Sequence, residues 1–209
     1  NRSMQRRLPT PRLCRIASAL RSPCNLPTLM ERDIVYFDLE TQRSSQDVGG
    51  WDKKRDMGVS VAVTYSTAAG AYRIYREKEM DALVDQLRRA HMVVGYNLIN
   101  FDYEVLQKYT VLDLASVVPT LDLLVEIEKR LKSRIPLDAV ASASLGVGKT
   151  ADGLQAITWW RQGKIMEIAE YCCFDVKCTK LVHEFGSQNK KIFYENRSRQ
   201  RCELAVDWP

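Results

Sequence analysis

Most acidic residues of this 209-residue chain fall where solvent-facing positions are expected, and four do not. Asp38 and Glu40 close an apolar run in the stretch Tyr36-Phe37-Asp38-Leu39-Glu40-Thr41. On a strand, residues two apart point to the same side, so both carboxylates project together from a buried element. Two like charges held there repel and raise each other's pKa unless a cation neutralises them. Asp102 follows a second apolar run, in Gly95-Tyr96-Asn97-Leu98-Ile99-Asn100-Phe101-Asp102. Asp175 sits among apolar neighbours in Tyr171-Cys172-Cys173-Phe174-Asp175-Val176, with Tyr171 one helical turn earlier on its face. If these elements converge, four carboxylates meet in one cleft. Hard, all-oxygen ligands of that kind suit Mg²⁺ or Mn²⁺. Two such ions can activate a water and stabilise a leaving oxygen in phosphodiester hydrolysis. Taken one at a time, each acid could equally be a helix cap or a solvated surface group.

The elements that must position these residues are legible in the hydrophobic pattern. Ile34 to Phe37 reads as a buried strand. Gly58 to Tyr65 is β-branched and alternating, and Ala71 to Tyr75 follows a turn at Ala69-Gly70, so the three predict an antiparallel meander. Glu79 to Ala90 switches to helical period, with Met80, Leu83, Val84 and Leu87 on one face. Met92 to Tyr96 is another buried strand, Phe101 to Tyr109 a helix, and Val117 to Asp122 a short strand ahead of a helix through Leu131. Leu137 to Leu145 predicts a helix stopping at Gly146, and Lys164 to Phe185 the longest helix. Three meandering strands followed by strand–helix alternation predict an α/β layer with a mixed sheet.

The three acidic stretches resemble the three motifs of the DEDD superfamily of 3′–5′ exonucleases. Phe37-Asp38-Leu39-Glu40-Thr41 resembles the first, Asn97 through Phe101-Asp102 the second, and Tyr171 with Asp175 the third in its tyrosine form, as in the proofreading domains of family B DNA polymerases. Over residues 31–209 the chain is most similar to stand-alone or helicase-associated bacterial members, in which segments like Val48-Gly49-Gly50-Trp51 and Gly148-Lys149-Thr150 through Trp159-Trp160 also recur. The resemblance implies a ribonuclease H-like fold, a mixed five-stranded sheet flanked by helices. It implies hydrolysis of terminal phosphodiesters of single-stranded DNA or RNA to nucleoside monophosphates, with two Mg²⁺ or Mn²⁺ ions. Asp38, Glu40 and Asp175 would hold the metal pair, Asp102 would complete the site through water, and Tyr171 would orient or help deprotonate the attacking water. Thr41, Asn97, Phe101 and Lys149 would contact substrate. A helicase partner is implied by the resemblance alone. His183, eight residues past Asp175, and His91 do not fit the histidine form and are expected to be structural.

Other readings compete with this one. Ala143 to Thr150 fits a relaxed phosphate-loop pattern, but a true one joins a strand to a helix, and here a helical pattern precedes it. A catalytically silent nucleic-acid-binding module would be expected to lose one or more acids, and all four are present. Asp122 reads as a helix cap. Trp159-Trp160 reads first as helix packing and second as a stacking pair for unpaired bases.

Composition sets the frame. Apolar residues make up 45% and charged residues 27%, which excludes a disordered chain or a disulfide mini-scaffold. No run reaches the ~20 apolar residues of a membrane helix. The formal charge of +5 lies in residues 1–30, which hold six arginines, no Lys and no acid; the rest, with 25 basic and 26 acidic side chains, sums to −1. The body is therefore not a basic protein. Residues 1–30 are expected to be a poorly ordered basic extension and 31–209 the folded domain. The six cysteines match no zinc spacing and are expected to be reduced thiols in a cytoplasmic protein.

Overall fold

The computed structural model describes residues 32–147 and 153–209. The basic segment 1–30 and Lys149 lie outside the described residues. The chain opens on β1 (Ile34–Thr41), followed by a short helix α1 (Ser45–Val48) and a 3₁₀ turn, Trp51–Asp56. β2 (Val59–Ser66) and β3 (Ala71–Tyr75) complete the meander, and α2 (Met80–Arg89) carries the chain back to β4 (Met92–Gly95). A π-helical turn, Leu98–Asp102, leads into α3 (Tyr103–Leu106). Then come α4 (Leu114–Val117), β5 (Thr120–Asp122), α5 (Leu123–Leu131), α6 (Leu137–Leu145), α7 (Gly153–Arg161) and the long α8 (Ile165–Asn189). A hairpin of β6 (Lys191–Glu195) and β7 (Arg201–Ala205) follows.

The sheet runs β3-β2-β1-β4-β5. β1 is antiparallel to β2 and parallel to β4, and β4 is parallel to β5. This is the predicted mixed five-stranded sheet, with β1 at its centre. Because β1 is covered on both faces, its residues alternate between two cores. Val35, Phe37 and Leu39 pack with Leu83, Val84 and Leu87 of α2 and with Val105 and Leu106 of α3. Tyr36, together with Val61 and Val63 of β2, packs on Ile168, Cys172, Val176 and Val182 of α8. That second face also carries Asp38 and Glu40.

Several elements depart from the expectation, among them α7 (Gly153–Arg161), α1 and α4, which the pattern reading did not assign. β1 continues through both acids to Thr41, instead of ending at Phe37. The region after β4 enters its helix through a π turn, so α3 is shorter than the expected Phe101–Tyr109 helix. The β6–β7 hairpin had no counterpart in the pattern reading.

Candidate metal centre

The site is assembled from the middle of β1, the exit of β4 and the first half of α8. β1 supplies Asp38 and Glu40, whose shared side follows from the strand's period of two. α8 lies across this face and presents Asp175. One carboxylate oxygen from each of Asp38, Glu40 and Asp175 lies within 4.8 Å of the others. The side chains are buried or half-buried, and among the described residues their carboxylates form no ion pair with Lys or Arg.

Asp102 stands beside this trio rather than in it. Its Oδ1 accepts from the Leu39 backbone N–H at 3.2 Å, which ties the exit of β4 to β1. The carboxylate is buried and, with Asp38 and Glu40, lines a cleft of about 620 Å³.

The turn that delivers Asp102 is held by a residue expected only as a cap. Asp122 does cap α5, accepting from the N–H groups of Leu124 and Val125. Its carboxylate also accepts from Asn97 N at 2.8 Å and Ile99 N at 3.0 Å. Asn97 takes the left-handed conformation, φ 74°, which Asn tolerates better than most residues. One buried carboxylate thus fixes both the end of β4 and the start of the π turn. Its signal, an acid at a strand end, was visible in the sequence, but bonds to residues 23 and 25 positions away were not.

The electrostatics follow from geometry. Burial raises the Asp38 pKa well above the carboxylate range; Asp175 adds to this, and a hydrogen bond from Cys172 opposes it. Glu40 is raised by burial and by Asp38, Asp175 and Asp102. Burial and Asp38 likewise raise Asp102. Asp175 is pushed up to about 6, chiefly by burial, with a Tyr171 hydrogen bond acting the other way. Burial and the three neighbouring carboxylates push the Tyr171 hydroxyl far above its usual range, so it keeps its proton at neutral pH. Four acids forced towards neutrality, with no basic ion-pair partner among the described residues, form a donor set that a divalent oxygen-seeking cation fits.

Thr41 is buried, donates to the Arg43 carbonyl at 3.0 Å and lines the same cleft, as does Phe101. The described part of Asn97's role is carried by its backbone and not by a side-chain contact to the cleft. The Cys172 thiol, 3.4 Å from Asp38 Oδ2, is a neighbour that the pattern reading did not single out. Trp159 and Trp160 are half-buried, and Trp159 meets the Tyr171 ring edge-on at 6.3 Å, so packing is their role here. His183 is buried against Tyr36, as expected of a structural histidine. α6 ends at Gly146 in a left-handed cap, the helical run-in that a phosphate loop lacks.

A mixed sheet in this order with carboxylates clustered on its central strand defines a nuclease-type α/β domain. The family model of the RNase H superfamily matches residues 35–185, from β1 into the later turns of α8. The chain belongs to the RNase H superfamily. That superfamily generally hydrolyses nucleic-acid phosphodiesters and usually needs divalent metal ions. It implies a nucleic-acid substrate and does not by itself call for a helicase. Among curated proteins, no match to the chain was found. Among the described residues no helix is long and apolar enough to cross a membrane.

Proposed function

We propose that this chain is a metal-dependent 3′–5′ exonuclease of the tyrosine DEDD type. It would remove nucleoside monophosphates one at a time from single-stranded 3′ ends. The observation that carries the proposal is the convergence of Asp38, Glu40 and Asp175 within 4.8 Å, with Asp102 on the same cleft. Their order along the chain and the presence of Tyr171 support the exonuclease assignment over other nuclease activities.

Asp38, Glu40 and Asp175 would hold two Mg²⁺ or Mn²⁺ ions, with Asp102 completing the site. Such ions neutralise charge developing on the phosphoryl oxygens and favour ionisation of water. Asp102, fixed by Leu39 N–H, keeps β1 and the π turn in register. Tyr171 is protonated, so its hydroxyl, which also hydrogen-bonds Asp175, orients the attacking water and does not act as a base. Thr41 and Phe101 line the cleft where the terminal nucleotide would sit, Asn97 would act through the backbone turn it shapes, and Lys149 would contact a substrate phosphate. Chemistry is confined to residues 31–209, and deletion of 1–30 should leave hydrolysis of a short oligonucleotide intact.

The test is digestion of matched 5′-labelled DNA and RNA single strands with Mg²⁺, Mn²⁺ or EDTA. A ladder shortening from the 3′ end, abolished by EDTA, is expected for at least one nucleic acid. Internal cuts alone, or no cleavage with either metal, would overturn the proposal.

A further inference from the structure

Trp51 is the one fully exposed tryptophan of the described residues: 65% of it is open to solvent, whereas Trp159 and Trp160 are half-buried and Trp208 is 1% exposed. It stands on the wall of the carboxylate cleft, and its ring meets that of Phe101 edge-on at 6.3 Å. Leu154 of α7, 69% exposed, lines the same cleft, together with Ile157 and Met57. Large apolar groups left in water at the mouth of a charged site mark a surface made to be covered.

The exposure is not that of a loose loop. Gly49 and Gly50, at φ 88° and 145°, make the turn that swings the chain from α1 into the Trp51–Asp56 segment, a backbone path open to few other residues. α1 is pinned by a reciprocal cap: Ser44 N and Oγ both donate to Asp47 Oδ2 at 2.8 Å, and Asp47 N donates to Ser44 Oγ at 3.2 Å. Arg161 of α7 then donates to both Asp47 oxygens, at 2.9 and 2.7 Å. The element before Trp51 and the helix bearing Leu154 are therefore tied together. Lys53, Lys54 and Arg55 follow Trp51 on the same turn, available to phosphates.

We infer that Trp51, with Phe101 and Leu154, forms a base-binding subsite that takes the flat face of one unpaired nucleobase near the 3′ end. The inference rests on the exonuclease reading. An aromatic face is sequence-tolerant but needs a base free of its partner, because a base stacked within a duplex offers no open face. Trp51 is thus a positioning residue that selects single strands and sets the reach of the terminal phosphodiester to the carboxylates.

The test is binding of 5′-fluorescein single strands by anisotropy, with Ca²⁺ in place of Mg²⁺ to suppress cleavage. The strands carry either all bases or one abasic residue at each of the four 3′-terminal positions in turn. Trp51→Ala should bind the full strand roughly 5- to 150-fold more weakly, the range that corresponds to loss of one stacked base. Trp51→Phe should recover most of that loss. At one abasic position the parent should already be weakened, and Trp51→Ala should weaken it no further. An equal loss for every strand, or no loss for the full strand, would overturn the subsite. Calorimetric binding of Mn²⁺ alone separates the two proposals. The parent and Trp51→Ala should bind it equally, and failure of the parent would count against the metal centre, not the subsite.

Discussion

Tyr36 and Asp38 lie two residues apart on one face of β1, and both point at α8, but the two contacts are built on opposite terms. At the Tyr36 end one polar pair forms, and His183 Nε2 and Trp208 Nε1 stay buried without a hydrogen-bond partner among the described residues. The Tyr36 hydroxyl and His183 Nδ1 are 2.9 Å apart, and His183 packs against Trp208, which is seated where Gly186 leaves room on α8. A Cβ on Gly186 would fall 2.4 Å from the Trp208 ring. At the Asp38 end, carboxylates face carboxylates with no basic ion-pair partner among the described residues. The polar atoms left over at the Tyr36 end are neutral, whereas those at the Asp38 end repel one another when ionised. Such a conflict costs stability and persists in natural sequences chiefly where function needs it.

The contrast yields expected outcomes of decreasing size. Asp175→Asn should lower the hydrolysis rate by roughly 10³-fold or more, as several kcal/mol of transition-state charge stabilisation are lost. The same variant, free of one buried charge, should be more stable than the parent by about 0.5–2 kcal/mol in EDTA, read by urea unfolding. Equal rates and a lower stability would erase the distinction between the two ends. Trp208→Ala should do the reverse. It should cost about 3–5 kcal/mol of unfolding free energy through the cavity left behind, while the rate per folded molecule at 20 °C stays within about twofold.

Tyr171→Phe keeps the ring and every carboxylate. If its hydroxyl positions water, single-turnover rates should fall roughly 10²-fold, at the low end for a positioned acid–base group. Mn²⁺ binding should be unchanged. A variant that loses Mn²⁺ as well would place the hydroxyl in the ligand set instead.

The smallest effect concerns pH, and the two ends should oppose each other. Asp175 is raised in the folded state, from 3.8 to about 6. Between those values the folded protein holds the proton more tightly than the unfolded chain, so its relative stabilisation is full below about pH 4 and lost as pH rises through about 6. Asp38 and Glu40, raised further, act with the same sign. His183 is lowered from 6.5 by burial, so its contribution is lost as pH falls below 6.5. Calorimetric melting in EDTA should show Asp175→Asn gaining on the parent as pH rises from 4 to 8. His183→Gln should lose less than the parent on acidification. A gain for Asp175→Asn confined to acid pH would reverse the assignment of strain.

Much of this was legible because buried strands and amphipathic helices write simple periods. The apolar run Ile34 to Phe37 marked the strand, and the two-residue step from Asp38 to Glu40 gave the shared side of its acids. The four-residue step from Tyr171 to Asp175 did the same on α8. What stayed hidden depends on contacts distant in sequence. Nothing in the sequence near Asp122 announces that it bonds Asn97 and Ile99. The π turn arises from that anchoring and not from a local propensity. The β6–β7 hairpin, Lys191–Glu195 with Arg201–Ala205, alternates weakly and carries its own charges, so no apolar stripe marks it. Trp51 stood out only as part of the recurring segment Val48-Gly49-Gly50-Trp51, and its place on the cleft wall beside Phe101 depends on contacts distant in sequence.

The central claim is that the carboxylate conflict at Asp38, Glu40 and Asp175 exists to hold divalent cations. Isothermal titration of Mn²⁺ into the metal-free full chain at pH 7.5 tests it most directly, run beside Asp175→Asn and Trp51→Ala. The account predicts saturable binding by the parent, accompanied by proton release that is read from an observed heat varying with buffer ionisation enthalpy. It predicts the same binding by Trp51→Ala and weak or no binding by Asp175→Asn. Parent-like binding by a folded Asp175→Asn, or no saturable binding by the folded parent up to millimolar Mn²⁺, would contradict it.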